Sequence, residues 1–477
     1  MDVAIIGCGP VGALLGNLLG AEGLSVEIYD RERDVYPLPR AVGFDGEIMR
    51  IFQSAGLASA IKAFARPATE GTHFVNGEGR TLMRRRIADG PGHNGWRDSW
   101  FFHQPLLEGA LRQGLTRYPN VRVHLGHEIA SVDELEHRFV IGCDGARSLV
   151  RHAIGSRRID LGLNQPWLVV DLLCDLNSPR FQALPTHTIQ LCDPARPMTA
   201  VNVGAADGAW RRRWEIMLMP SDDPENLTDP AVFWPMMARW LGPEDARIER
   251  AAVYTFHSVI QEGWRKGRLF LAGDACHQTP PFLGQGMCAG MRDAANLAWK
   301  VGAVVRGQAP DALLDTYEIE RLPHVSAFIE LAVELGGVLQ ETDPAKAAER
   351  DHRFAESIRT YAHPEQQLGL GCRLDQPPPV GMIFPQPQLD DGRLMDEVIG
   401  QRFAIVGDAA LLEGLGSSAV LLPGVGLDWL AEHGARAAIL RPDRYIFALA
   451  RNREELIAAT YPTATPFAFA WSGPSRS

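Results

Sequence analysis

The chain lacks the features that would make it small, stapled or basic. Its seven cysteines, Cys8, Cys143, Cys174, Cys192, Cys276, Cys288 and Cys372, are odd in number and include no Cys-x-x-Cys pair. That argues against a disulfide framework or a thiolate zinc site, and for reduced thiols in a cytoplasmic protein. Positive charge is in deficit, with 47 Lys and Arg against 58 Asp and Glu, a formal net charge of −11. A phosphate backbone is repelled overall, so nucleic acid is not an expected partner. Val3 to Ala21 holds no charge and reaches the length of a membrane span. It contains five glycines and a proline, however, and no basic residue precedes it. Neither a membrane helix nor a signal peptide fits, and no membrane is expected. With 477 residues, 46% of them hydrophobic and 22% charged, the chain is globular and too long for one ordinary core.

VAIIGCGPVGALLGNLLGAEGLSVEIYDRER, from Val3 to Arg33, reads as strand, turn, helix and strand. Val3 to Ile6 is a continuous apolar run, as a strand buried on both faces requires. Gly7, Gly9 and Gly12 form GxGxxG. The first gives a tight turn, the second lets a pyrophosphate approach the backbone, and the third lets helix pack on strand. The helix N-terminus offers free N–H groups and partial positive charge to phosphates. Asp30 ends the second strand, where a carboxylate accepts from ribose hydroxyls. The motif indicates a dinucleotide without separating NAD from FAD. The plainer reading is a glycine-rich turn in an ordinary α/β core.

Two further apolar strands end in acid and glycine. FVIGCDGARSLVR, Phe139 to Arg151, closes on Asp144-Gly145. GRLFLAGDACHQTPPFLGQGMCAG closes on Gly273-Asp274, then meets Pro280 and Pro281 before a glycine-rich helix start at Gly284, Gly286 and Gly290. These three motifs, in this order from Asp2 to about Glu334, resemble the single-component FAD monooxygenases of the p-hydroxybenzoate hydroxylase class. Within the class, MRDAANLAWKVGAVVRGQAPDALLDTYEIERLPH and CDPARP look most like the 3-(3-hydroxyphenyl)propionate hydroxylases.

The resemblance implies non-covalent FAD held by Gly7, Gly9, Gly12, Asp30, Arg31, Arg40, Gln104, Asp144, Asp274, Gly284, Gly286 and Met287. Asp274 would hold the ribityl and ribose part. The helix beginning near Gly286 would point its N-terminus at the pyrimidine edge of the flavin, where reduced flavin is anionic. Arg40, in PRAVGFD, would lie near the pyrophosphate; otherwise it is a surface charge. Gln104 would contact the flavin nucleotide; otherwise it caps a helix. Between VRVHLGHEIASV and RFVIGCDG the chain has only DELEHR, where the family inserts a hairpin. A trimmed edge with intact chemistry is expected.

The implied fold is α/β. A Rossmann-like GR2-type FAD-binding domain spans residues 1–164 and 259–335. An antiparallel substrate-binding sheet spans 165–258, with PAVFWPMMARWL as a helix against it, and a thioredoxin-like C-terminal domain spans 336–477. Without a CxxC pair the tail does no thiol-disulfide chemistry, and a structural or dimer-forming role is the plainer expectation. A monomer or homodimer is expected. No second dinucleotide motif serves NADH or NADPH, which the family binds beside the flavin.

The implied activity is hydroxylation of a phenol ortho to its hydroxyl, with NAD(P)H and O2 as co-substrates and a flavin C4a-hydroperoxide as oxygen donor. The protein must exclude water and favour the phenolate. His257, Tyr254 and His277 are candidates for that activation. Arg213 matches a family arginine that reaches the flavin, and Pro281 lies in the segment beside the ring. Each histidine is otherwise an ordinary structural group. The expected substrate is a phenol with a short carboxylated chain, paired by Arg180, His187, Arg196 or the run Arg211 to Arg213; otherwise these are solvated strand ends. The alternatives are a resorcinol-type or polyketide phenol, or a flavin NAD(P)H oxidase or reductase on the same fold. A non-enzymatic FAD-fold chaperone is disfavoured by the intact motifs.

Overall fold

A computed structural model of the chain describes residues 1–38, 40–206, 208–355, 357–415 and 418–460. Pro39 of PRAVGFD and the final stretch 461–477 of the expected third domain lie outside these. The described residues form a mixed α/β structure with several sheets.

The N-terminal sheet runs in the order Arg265–Lys266, Leu269–Leu271, Phe139–Gly142, Val3–Ile6, Val26–Asp30, Val121–Leu125. Its neighbours are parallel except for the first pair. Val3–Ile6 is buried throughout, which explains its unbroken apolar run. The uncharged segment Val3 to Ala21 is thus strand, turn and helix Pro10–Ala21. Only a short turn at Val132–Glu134 joins Val121–Leu125 to Phe139–Gly142.

The central sheet is larger than the span 165–258. Its order is His277–Gln278, Ala246–Glu262, Arg157–Cys174, Ala209–Met217, Met198–Ala206, Thr188–Cys192, Thr72–Asn76, Thr81–Arg85, Arg359–Tyr361. The strands of that span pair antiparallel throughout, as expected; the whole sheet is mixed because Thr72–Asn76 joins Thr188–Cys192 in parallel, and Arg359–Tyr361 joins Thr81–Arg85 in parallel. Alternation gives it two faces. The outer face carries Leu168, Val170, Trp214 and Ile216, packed with Phe233 and Met237 of helix Pro230–Met237. The inner face carries Trp167, Met217, Phe74 and Cys192, packed with Phe282, Leu335 and Leu339.

Helix Thr316–Leu339 runs through position 336, where the third domain was expected to begin. By length and composition alone, Asp311–Leu339 could cross a membrane. Here it buries Glu320 and Arg321 in ion clusters and lies against helix Gly286–Val305. Helix Pro344–Arg353 then leans on the central sheet, where Arg350 Nη2 donates to the Cys192 carbonyl at 2.7 Å. The tail's own sheet comes later, in the order Val420–Pro423, Ala404–Gly407, Ala437–Leu440, Ile446–Ala450. Its first two strands are parallel and the other pairs antiparallel.

Candidate active site

The site is assembled where three strand ends meet two helix starts. At the first turn the glycines have separate tasks. Gly7 has φ +102°, and a Cβ there would lie 2.4 Å from the Cys143 carbonyl oxygen. A Cβ on Gly12 would lie 1.9 Å from the Gly7 carbonyl oxygen, so helix Pro10–Ala21 approaches the strand only because that Cβ is absent. Above Gly9 there is nothing within 4 Å. The helix has no side-chain cap, so its first N–H groups face that open space. Asp30 Oδ2 accepts from the Cys8 N–H at 2.6 Å and fixes the turn from the neighbouring strand. Arg31 is exposed and pairs with Glu32 at 3.3 Å, a solvated contact.

At the other two motifs the carboxylates differ. Asp144 Oδ2 accepts from the N–H of Leu149 at 2.6 Å, and burial raises its pKa. Asp274 accepts no hydrogen bond from the described residues. It is exposed to solvent, yet protein surrounds it closely enough for desolvation to raise its pKa against the lowering effect of His277 and Arg40. An accessible acid enclosed in this way lines a cleft. Its loop is fixed from behind: Asp293 Oδ2 accepts from the Gly273 N–H at 3.1 Å and pairs with His277 Nε2 at 2.7 Å, while Oδ1 accepts from Arg321 Nε at 2.9 Å. His277 is fully engaged in this buried cluster on its Nε2 side. Gly284 has φ +65° with open space around it, and Gly286 and Met287 begin the 20-residue helix Gly286–Val305, again without a side-chain cap. Both helix N-termini are therefore ready for anionic groups. Open space over Gly9, an unpartnered acid at Asp274 and two uncapped helix starts fit a bound dinucleotide.

Between these motifs runs the segment from Tyr36 to Asp45. Gln104 Oε1 accepts from the N–H groups of Arg40 at 2.8 Å and Ala41 at 2.6 Å, and its Nε2 donates to Glu108 at 2.6 Å. Its carbonyl is spent on holding this segment. Arg40 itself is exposed, lies over the Tyr36 ring at 5.0 Å and acts on Asp274. Arg213 grips the same segment from the central sheet: Nη1 donates to the Arg40 carbonyl at 2.5 Å, and Nε reaches Asp171 at 2.7 Å. Asp171 also pairs with Arg250 at 2.9 Å. Arg213 is thus a buried brace between sheet and segment.

Arg250, Ala252, Tyr254 and Phe256 share the inner face with Trp167 and Met217. Tyr254 receives a 3.4 Å contact from Arg250 Nη1 and shares a hydrogen bond with Tyr36; burial raises its pKa. It stays a neutral phenol at physiological pH. Pro281 opens the short turn Pro281–Leu283, whose Phe282 packs against Trp167 with ring centroids 5.7 Å apart. His257 is not brought to this cleft. It lies on the outer face, with Nδ1 2.5 Å from Asn164 Oδ1.

Sequence reasoning passed over Asp171, Glu215 and Asp293. The first two had a signal, an acid inside an otherwise apolar strand, in PWLVVDLLCDL and RRWEIMLMP. Asp293 looked like an ordinary helix acid.

A family of FAD binding domains matches residues 1–332. A probable NADH-specific resorcinol 4-hydroxylase of Rhodococcus jostii is 37% identical over 511 residues, covering 96% of this chain and 93% of that protein. A 3-(3-hydroxy-phenyl)propionate/3-hydroxycinnamic acid hydroxylase of Mycobacterium sp. is 35% identical over 441 residues, covering 85% and 74%. Among solved structures, a ternary complex of aklavinone-11 hydroxylase with FAD and aklavinone superposes with a TM-score of 0.76 at 21% identity, covering 96% and 98%. This chain belongs to the FAD-binding-domain family, and it is an FAD-dependent aromatic monooxygenase.

Proposed function

We propose that this protein hydroxylates a neutral phenol of the resorcinol type, with NADH or NADPH as reductant. One observation carries the choice. The basic residues that were to receive a substrate carboxylate are already committed. Arg180 pairs with Glu244 at 3.1 Å, His187 with Glu70 at 2.7 Å, Arg211 with Glu249 at 2.9 Å and Arg213 with Asp171 at 2.7 Å. Arg196 pairs with Asp222; Arg212 meets no acid among the described residues, but it lies on the outer face, away from the cleft, where it donates to the Pro185 carbonyl at 2.7 Å. A buried carboxylate without a free cation is too costly to desolvate. The resorcinol hydroxylase among the relatives supports this reading.

The phenolic-acid reading retains one observation. Arg85, four strands from Arg213 in the central sheet, meets no acid among the described residues; its partner is the ring of His363 at 3.2 Å, which burial holds neutral with a pKa of about 3. The propionate hydroxylases among the relatives support that reading.

FAD, when bound, supplies the hydride acceptor and the activation of dioxygen. The chain's part is to bind, orient and dry the site. The N–H groups after Gly9 would take the pyrophosphate, and Asp274 would accept from sugar hydroxyls. The N-terminus of Gly286–Val305 would favour negative charge on the flavin ring. Tyr254 can donate to a substrate oxygen, and the inner face of the central sheet excludes water. The strand order and directions of the tail's sheet support a thioredoxin-like reading of it, in a structural role.

The test compares kcat/KM for resorcinol with that for 3-(3-hydroxyphenyl)propionate, with products identified. Resorcinol should be favoured by at least about tenfold, or 1.4 kcal/mol. Preference for the acid overturns the proposal. NAD(P)H consumption with no hydroxylated product from any phenol would make the protein an oxidase.

A further inference from the structure

Glu215 stands out on the inner face of the central sheet because it makes no hydrogen bond among the described residues, and its one ion pair is long. It is 7% exposed, and its carboxylate accepts no hydrogen bond from the described residues. Arg213 Nη1 lies 3.9 Å from Oε1, beyond hydrogen-bond reach, and that guanidinium is already held by Asp171 and the Arg40 carbonyl. Asp171, two residues along the same face on the neighbouring strand, has two arginines instead. Burial accordingly raises the pKa of Glu215. A buried acid that accepts no hydrogen bond is costly unless something else meets it.

Its surroundings are those of the reaction cleft. Glu215 faces Val169 on one strand and Thr199 on the other. The Thr199 hydroxyl donates to Gln190 Oε1 at 2.6 Å, and Gln190 Nε2 donates to the Phe282 carbonyl at 3.5 Å, in the turn that precedes helix Gly286–Val305. On its other side Arg213 grips the Arg40 segment. Glu215 thus lies between the two segments that border the cleft.

We propose that Glu215 is the specificity-determining residue of this monooxygenase: it hydrogen-bonds a ring hydroxyl of the substrate and disfavours a ring that bears a carboxylate. The assignment rests on the neutral-phenol reading above. A second hydroxyl, as in a dihydroxybenzene, supplies the donor that the protein does not, whereas a substrate carboxylate would place two acids together in a water-poor space. Donor recognition by a buried acceptor discriminates strongly, because the analogue without the donor leaves that acceptor unpaired.

The experiment uses the FAD holoenzyme and follows the flavin absorbance during titration with resorcinol and with 3-(3-hydroxyphenyl)propionate. Wild type is compared with Glu215→Gln and Glu215→Leu, each checked for retained FAD. Glu215→Gln keeps shape and hydrogen-bonding capacity, so resorcinol binding should stay within about threefold while the acid tightens about tenfold or more. Glu215→Leu should weaken resorcinol about tenfold or more. The assignment is overturned if Glu215→Gln leaves the ratio of the two affinities unchanged, or if Glu215→Leu binds resorcinol as the wild type does. Should Glu215→Leu fail to hold FAD, the isosteric Gln variant decides alone. Wild-type preference for the acid would sink the neutral-phenol reading, whereas an unchanged ratio in a wild type that prefers resorcinol would sink only the role of Glu215.

Discussion

Asp274 and Asp171 are both carboxylates near the cleft, and the fold treats them in opposite ways. Asp171 is 2% exposed and neutralised by Arg213 and Arg250. Asp274 has solvent access and accepts no hydrogen bond from the described residues. The first is structural and the second is proposed to hold FAD, so their variants should separate. Asp274→Ala should leave thermal unfolding of the apoprotein nearly unchanged. It should weaken FAD about 10- to 150-fold, the loss of a charge-assisted bond of about 1.5–3 kcal/mol. Asp171→Asn leaves two buried arginines short of one acid, and should destabilise the folded protein by about 3–5 kcal/mol. Equal effects of both on FAD retention and on unfolding would show that the two roles have been confused. The motif acids were legible in the sequence because their task depends on local chain geometry. Asp171 was not, because its partner Arg213 lies 42 residues away and meets it only through strand register.

At the scale of elements, the glycines of the first turn make a sharper contrast than their shared motif suggests. A methyl group on Gly9 enters open space, and one on Gly12 enters the Gly7 carbonyl. Gly9→Ala should therefore fold and bind FAD poorly, because the methyl occupies the approach of the pyrophosphate. Gly12→Ala should fail earlier, as low soluble yield or a lowered melting temperature, since helix and strand must part to admit it. Soluble yield, melting temperature and FAD content together separate the two failures, and a Gly12→Ala protein as stable as wild type would contradict this close packing of helix on strand. The strand-turn-helix at Val3 to Ala21 was readable from periodicity and glycine spacing. The central sheet was readable only in its middle, since Thr72–Asn76, Thr81–Arg85 and Arg359–Tyr361 are recruited to one edge by parallel pairings between distant segments. His257 followed from a residue type and not from alternation; the strand's period of two puts it on the outer face, away from Tyr254.

At the scale of the whole molecule, the tail is fastened to the FAD-binding part by buried charge. Arg50 reaches Asp396 at 2.7 Å, Tyr445 donates to Glu47 at 2.8 Å, and Arg441 and Lys300 meet on Glu320 at 2.8 and 2.7 Å. A cavity of about 40 Å³ lies along this seam, lined by Glu47, Arg50, Trp299 and Asp443. None of this was legible in the sequence, because Arg50 and Asp396 are separated by 346 positions. The tail's single expected thiol, Cys372, is pushed up to about 12 by burial, so Cys372→Ser should leave turnover intact.

Glu320 makes the seam sensitive to pH. Arg441 and Lys300 hold its carboxyl down to about 2 against the opposing effect of burial. Its folded value lies below its unfolded one, so its contribution is complete above the ordinary glutamate range near 4.5. That contribution is lost as pH falls from there toward about 2. Glu320→Gln removes it at every pH and should cost about 3–5 kcal/mol at neutrality, since Lys300 is left buried without its acid. The gap in melting temperature between wild type and Glu320→Gln should therefore be wide and flat from pH 7 to 5 and narrow steadily toward pH 3. A gap that stays constant across the whole range would mean that Glu320 is not the ionised centre of the seam, and that apolar packing holds the tail in place.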